Sequence, residues 1–214
     1  MPFVVTGARK GGRILAAIIA LAAINAAPAS AAGTKDKKAA ANPGACVVAH
    51  AFSHPFAAWN DFADYALAPG GDFETGAAGW TLSKAAVTSG NQPFAASGRT
   101  SLRLPAKATA TSAPMCIDSQ YPHFRVFARN VGRLKSQLKA EVLFLNAKGQ
   151  IKSSRSGNID STGTAWFPSD SLKIGVTFNA AIAAGAAPVA FRFTAAPNSD
   201  WRIDDVFVDP YARR

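Results

Sequence analysis

The chain has 214 residues, which is enough for one domain or two small ones. Hydrophobic residues make up 49% and charged residues 17%, so most of the chain is expected to fold around a core rather than stay disordered. The formal net charge is +10, but the sequence contains no continuous Lys/Arg stripe, and no membrane-spanning apolar run follows the N-terminal segment. We therefore expect no nucleic-acid partner and no stable membrane insertion after export.

Residues 1–31 are predicted to be a cleaved signal peptide. Residues 9–13 carry three basic side chains, residues 14–24 are apolar, and Ala29-Ser30-Ala31 supplies the small residues before a cleavage site. The alternative is an uncleaved membrane anchor, for which the apolar stretch is short. We expect a secreted, extracellular protein that begins near Ala32.

Export would place the two cysteines of the chain, Cys46 and Cys116, in an oxidising compartment, where two cysteines favour one disulfide. The bridge would close a loop of about 70 residues, which the chain-entropy account credits with about 4 kcal/mol. The alternative is a pair of buried free thiols. A metal held by this pair is not expected, because the chain has no C-x-x-C spacing.

The residues between the signal peptide and the main domain divide into two parts. Residues 32–45 are small and charged and contain a Pro-Gly pair, so they are predicted to form a flexible lead. Residues 46–69 are too rich in aromatic side chains to be a free linker. We expect this extension to pack against a domain formed by residues 70–214, with a helical turn near Asn60 to Tyr65.

From residue 70 onward, apolar and polar side chains alternate over short runs separated by turn residues, which predicts β-strands. Lys148-Gly149 is predicted to form a hairpin turn, and the Ala-rich residues 174–187 to form a loop with a helical turn. Short alternating strands with frequent turns indicate an antiparallel sandwich. The predicted strands are 80–83, 101–104, 109–117, 123–129, 138–145, 189–194 and 201–208.

Segments at opposite ends of this region together resemble a known family. Gly71-Asp72-Phe73-Glu74, Gly79-Trp80 and Gly98 to Leu104 open the region, and Trp201-Arg202-Ile203-Asp204-Asp205-Val206 closes it. These segments resemble the jelly-roll, galactose-binding-like carbohydrate-binding modules over about 69–210. The resemblance implies an all-β fold, an antiparallel jelly-roll β-sandwich with an N-terminal packed extension, whose first and last strands meet. The whole chain also resembles secreted proteins of high-GC Gram-positive bacteria that have no assigned activity.

Modules of this kind often hold a structural calcium ion where the first and last strands meet. Carried over by position, the resemblance implies carboxylate ligands from Glu74 and Asp205. Backbone carbonyl groups near Asp72 and Arg99–Ser101 would complete the shell of hard oxygen ligands that Ca²⁺ prefers. The alternative is that the two carboxylates only cap turns or pair with Arg or Lys.

A second candidate site lies on the predicted strand 123–129, where alternation places His123, Arg125, Phe127 and Arg129 on one face. Arg192 is expected to join them from a neighbouring strand. Aromatic faces and fixed polar groups are what sugar recognition needs, so this set is a candidate ligand-binding face for a glycan. The alternative is a solvated outer face with Phe127 partly buried.

The sequence contains no G-x-S-x-G, H-E-x-x-H or P-loop motif. Asp204-Asp205 is the one adjacent carboxylate pair, and neighbours on a regular strand point to opposite faces, so we expect no acid–base pair there. We expect a secreted, non-catalytic, carbohydrate-binding-like module for an envelope or extracellular glycan.

The alternative function is a secreted structural or protein-interaction domain with no sugar site, whose partner would be a surface protein. An exposed aromatic pair beside Arg125 or Arg192 would favour the binding module. A self-complementary apolar patch would favour the interaction domain.

Overall fold

The computed structural model describes residues 51–94, 98–117, 123–146, 148–161, 163–173 and 187–209. The predicted signal peptide, the flexible lead, Cys46 and the predicted turn within 174–186 lie outside these ranges. Within them, no helix is both long and apolar enough to cross a membrane.

The described residues form two antiparallel sheets. In chain order the strands are β1 (Phe52–Ser53), β2 (Tyr65–Leu67), β3 (Thr81–Ser83), β4 (Ala86–Ser89), β5 (Thr100–Pro105), β6 (Thr109–Thr111), β7 (Met115–Ile117), β8 (His123–Asn130), β9 (Gln137–Leu145), β10 (Ile151–Asp160), β11 (Phe167–Pro168), β12 (Leu172–Lys173), β13 (Ala187–Ala195) and β14 (Asp200–Asp209). The predicted strands from 80 onward are present, because their alternation supplies one apolar face each, but the predicted strand 109–117 is divided into β6 and β7. The fold is the predicted jelly-roll sandwich.

The first sheet is organised around β14. One edge of β14 pairs with β5 and then with β2, and the other edge pairs with β8. Strands β4 and β1 extend the first side, and β11 and β12 pair with β8 on the other. The second sheet runs β10-β9-β13-β6-β3, with β7 also paired to β13.

The core lies between the two sheets and is filled by the inward-facing side chains of both. Trp201 and Ile203 contribute from the first sheet, and Phe191 and Phe193 from the second, and all four are fully buried. Each such side chain stabilises the fold by about 1.5–3 kcal/mol relative to an exposed position. The outer faces of the sheets are therefore where ligand contacts have to be sought.

The N-terminal extension covers part of the outer face of the first sheet. Phe56 and Tyr65 form a second buried cluster with Phe127 of β8 and Phe207 of β14. The helical turn lies earlier than predicted, at Ala57–Trp59, and ends where Asn60 adopts a left-handed conformation. Tyr65 instead begins β2, because the backbone there pairs with β14.

The first and last parts of the domain meet as the resemblance implies. The carbonyl of Gly71 accepts a hydrogen bond from the amide of Val206 at 3.2 Å, and the carbonyl of Val206 accepts one from Ala68 at 2.8 Å. Trp80 and Ile203 are buried nearby in the same core. The predicted contact between residues 71–74 and 204–206 is confirmed.

Candidate functional site

An acidic notch lies at the junction of the first and last parts of the domain. Asp72, Glu74 and Asp205 line a depression of about 200 Å³ together with Asn91 and Gly98. The three residues predicted from the resemblance as a metal site are therefore brought together, although about 130 residues separate the first two from the third.

A β-bulge in β14 brings the carboxylates of Asp204 and Asp205 to the same neighbour, Gln92, and Asp205 lines the notch. The pairing of β14 with β8 shifts register between Asp204 and Phe207, and Asp205 adopts a left-handed φ of 48°. The backbone N–H of Gln92 donates to Asp204, and its side-chain amide donates to Asp205 at 2.8 Å. The expectation that these carboxylates point to opposite faces is wrong, because the bulge interrupts the alternation.

Glu74 closes the opposite side of the notch. Its Oε1 accepts hydrogen bonds from the backbone N–H groups of Arg99, at 2.8 Å, and Thr100, at 2.9 Å. These bonds lower the pKa of Glu74, so that it remains a carboxylate. Gly98 is required beside it: its φ is +135°, and a Cβ there would lie 2.1 Å from the side-chain nitrogen of Asn91.

The carboxyl groups of Asp72, Glu74, Asp204 and Asp205 lie close enough to influence one another's protonation. Burial, followed by the charge of Asp205, raises the pKa of Asp204 to about 8. Burial also raises the pKa of Asp205 to about 6, with further contributions from the charges of Asp72 and Glu74. Within the described ranges, none of these four carboxylates forms an ion pair with Lys or Arg.

The donor set of the notch is compatible with a hard cation. All its charged atoms are carboxylate oxygens, which is the chemistry that Ca²⁺ prefers. No three His, Cys, Asp or Glu side chains in the described part of the chain converge as a ready-made metal cluster. An ion here would therefore be held by Glu74 and Asp205 together with backbone carbonyl oxygens, as the resemblance implies.

The predicted ligand face on β8 is largely covered. Phe127 is only 1% exposed, because the N-terminal extension packs on it. Arg125 is committed within the fold: it donates to Asp61 at 2.6 Å and to the carbonyl of Ser169 at 2.9 Å. His123 is half-buried at the far end of the strand.

Arg192 does not join this face. It lies on β13 in the second sheet, where its guanidinium donates to Glu141 at 2.8 Å. This hydrogen bond lowers the pKa of Glu141. The expectation that Arg192 neighbours Arg125 is wrong, because alternation assigns a face within a strand but not the sheet to which the strand belongs.

An aromatic pair that the sequence did not single out lies beside the covered face. Trp59 and Phe94 meet edge to face with ring centroids 4.8 Å apart, and both rings pack on Phe127, at 5.7 and 5.4 Å. Phe94 is 45% exposed, and Trp59 is half-buried. The available signal was the aromatic-rich extension, but nothing local connects residue 59 with residue 94.

No protein-family model and no curated protein sequence matches this chain. Among solved structures, the chain is similar to the enzymatically active domain of bacteriophage CBA120 tailspike protein 4, with 20% identity and a TM-score of 0.48 over 66% of this chain. The chain spans 21% of that protein's length.

Two smaller neighbours are matched over nearly their whole length. One is TmCBM61, described in complex with beta-1,4-galactotriose, with 18% identity and a TM-score of 0.41 over 66% of this chain and 95% of that one. The other is the CBM22-1 xylan-binding domain of Paenibacillus barcinonensis Xyn10C, with 12% identity and a TM-score of 0.41 over 66% and 93%.

Proposed function

We propose that this chain is an exported, non-catalytic carbohydrate-binding module whose ligand contacts the Trp59–Phe94 pair. The observation that carries the proposal is this pair, which supplies adjacent aromatic surface on top of a buried phenylalanine. Its rings are held by Phe127, so they present a preformed surface at little entropic cost. The ligand is expected to be an envelope or extracellular glycan.

The surroundings of the pair have the polar groups that sugar hydroxyls need. Asn60 is exposed directly after Trp59, whereas Gln92, two residues before Phe94, is buried and its side-chain amide is committed to contacts within the fold. The backbone N–H of Phe94 donates to the side-chain oxygen of Gln92 at 2.6 Å, which fixes this loop beside the acidic notch. An apolar surface with fixed polar neighbours is the combination found in small-ligand sites.

The test is glycan binding by the mature protein, first on an array and then by calorimetry with an oligosaccharide that binds. Trp59→Ala and Phe94→Ala should each weaken binding by about 3–10-fold, because each removes one stacking surface. Leu134→Ala is the matched control, since Leu134 is 66% exposed in the connection between β8 and β9. Equal losses in all three variants would contradict the proposed site.

The glycan-binding experiment, together with sedimentation of the wild-type protein, also tests the alternative of a structural or protein-interaction domain. If no glycan binds while the wild-type protein self-associates in sedimentation, and Phe94→Ala abolishes that association, the interaction domain replaces the carbohydrate-binding module. Phe94 and Phe62, which is 69% exposed, would then form part of an apolar contact surface.

We also propose that the acidic notch binds a structural calcium ion through Glu74 and Asp205. The support is the crowding of carboxylates that form no salt bridge with Lys or Arg among the described residues. Saturation at about 100 times the dissociation constant would stabilise the fold by about 2.7 kcal/mol, so EDTA should lower the melting temperature by about 5–10 °C.

Two variants distinguish a carboxylate that binds calcium from one that only caps a turn. Asp205→Asn should abolish the response to EDTA without lowering the melting temperature of the calcium-free protein, because it removes charge repulsion. Asp170→Asn, an exposed carboxyl outside the notch, should respond to EDTA like the wild type. An unchanged wild-type melting temperature in EDTA would refute the calcium site and leave the aromatic site untouched.

A further inference from the structure

A row of arginines crosses the outer face of the first sheet. Arg202 of β14 lies opposite Arg103 of β5 on one side and opposite Arg129 of β8 on the other. Arg103 is neutralised by Asp200, to which its guanidinium donates through Nε and Nη2. Within the described residues, Arg129 and Arg202 form no salt bridge with a carboxylate.

Arg202 is held rigidly by neutral acceptors. Its Nε and Nη2 donate to the hydroxyl of Ser101, and Nη2 also donates to the carbonyl groups of Ser89 and Gly90. These contacts fix the orientation of the guanidinium without neutralising its charge. An oriented guanidinium that forms no salt bridge is suited to bind an anion in a defined geometry.

Arg129 faces the same place, and one of its guanidinium nitrogens lacks an acceptor in the described part of the chain. Its Nε is buried and has no partner among the described residues. The half-buried indole ring of Trp166 lies near both arginines, with its centre 5.9 Å from the guanidinium carbon of Arg129 and 6.0 Å from that of Arg202. The ring provides cation–π contact, which is weaker than a charge-assisted hydrogen bond.

The electrostatics of the pair are unfavourable without an anion. Burial, and then the neighbouring charge of Arg129, lower the pKa of Arg202. The charges of Asp204 and Asp200 act in the opposite direction, but neither carboxyl forms a salt bridge with Arg202. A bound anion would remove the repulsion between the two guanidinium groups and provide the missing acceptor.

We propose that Arg129, Arg202 and Trp166 form a subsite for the acidic group of a glycan, a carboxylate, sulfate or phosphate ester carried on a sugar ring. The proposal rests on the carbohydrate-binding function proposed above and names its substrate class. Arg129 and Phe127 lie two residues apart on the same side of β8, about 7 Å along the strand. A glycan that contacts the Trp59–Phe94 pair can therefore reach the arginines with a neighbouring sugar.

The experiment compares three probes by calorimetry at fixed ionic strength: an oligogalacturonate, a sulfated oligosaccharide and a neutral galacto-oligosaccharide of equal length. At least one acidic probe should bind about ten-fold or more tightly than the neutral probe, because charge-assisted hydrogen bonds are the stronger class. Arg129→Gln should remove most of that difference while changing the affinity for the neutral probe by less than about two-fold.

Arg103→Gln is the matched control, since it removes the same charge from the same face at a residue already paired with Asp200. It should leave the preference for the acidic probe within about two-fold of the wild type. Equal affinity of the wild type for acidic and neutral probes, or equal effects of Arg129→Gln and Arg103→Gln, would overturn the acidic subsite alone. Absence of binding to all three probes and to every array glycan would instead overturn the carbohydrate-binding function.

Discussion

At the scale of single residues, Asp204 is the most unusual group in the described structure. It is fully buried, accepts a backbone hydrogen bond from Gln92, and lies next to a second carboxyl in the bulge of β14. Its pKa of about 8 in the folded protein stands well above the value of 3.8 expected in the unfolded chain. The folded state therefore binds a proton that the unfolded state has released at neutral pH.

The consequence is a stability that depends on pH in calcium-free protein. The contribution of protonated Asp204 to the free energy of unfolding is complete below about pH 4 and is lost as the pH rises through about 8. In EDTA, the melting temperature should fall between pH 6 and pH 8, whereas Asp204→Asn should flatten this profile and raise the melting temperature at pH 8. Thermal unfolding monitored by circular dichroism measures both, and a wild-type melting temperature that rises over this interval would contradict the prediction.

At the scale of elements, the N-terminal extension behaves as part of the domain. Phe56 is fully buried against Tyr65, Phe127 and Phe207, and the guanidinium of Arg125 lies 4.2 Å from its ring centre. Asp61 connects this packing to a polar network, since it accepts hydrogen bonds from both Tyr65 and Arg125. Apolar packing and a buried ion pair thus hold one segment on the outer face of the first sheet.

Removing the central ring should loosen the extension. Phe56→Ala should destabilise the protein by about 3–5 kcal/mol, because it leaves a cavity and exposes the ion pair of Arg125 and Asp61. Phe52→Ala, at a ring that is 46% exposed, should change stability by less than about 0.5 kcal/mol. Urea unfolding curves compare the two variants, and similar midpoints would show that the extension contributes little to the stability of the domain.

At the scale of the whole molecule, the predicted disulfide would connect the extension to the second sheet. Cys116 lies on β7, which pairs with β13, whereas Cys46 precedes the described residues. The bridge stays a prediction. Non-reducing mass spectrometry of secreted protein should give a mass two hydrogens below that of the dithiol, and replacing both cysteines with serine should lower stability by about 2–5 kcal/mol. Two alkylatable thiols in the native protein would reject the bridge.

Most of the longer strands and their inward faces were predictable from the sequence, because apolar and polar side chains alternate in segments such as 138–145 and 201–204. Strands β1, β2, β4 and β10–β12 were not predicted. The family-like opening and closing segments also predicted that Glu74 and Asp205 come together. The sequence could not determine which sheet takes each strand, which is why Arg192 was misplaced relative to Arg125.

Two features could be seen only in the tertiary structure: where the chain departs from regular strand geometry, and which distant residues meet. The bulge at Asp205 brings two adjacent carboxylates to the same residue, Gln92, against the alternation that the sequence predicts. The Trp59–Phe94 pair and the Arg129–Arg202 pair each join residues far apart in the chain. The β-propensity of a short segment cannot predict such contacts, because they depend on strand order and on burial against the whole domain.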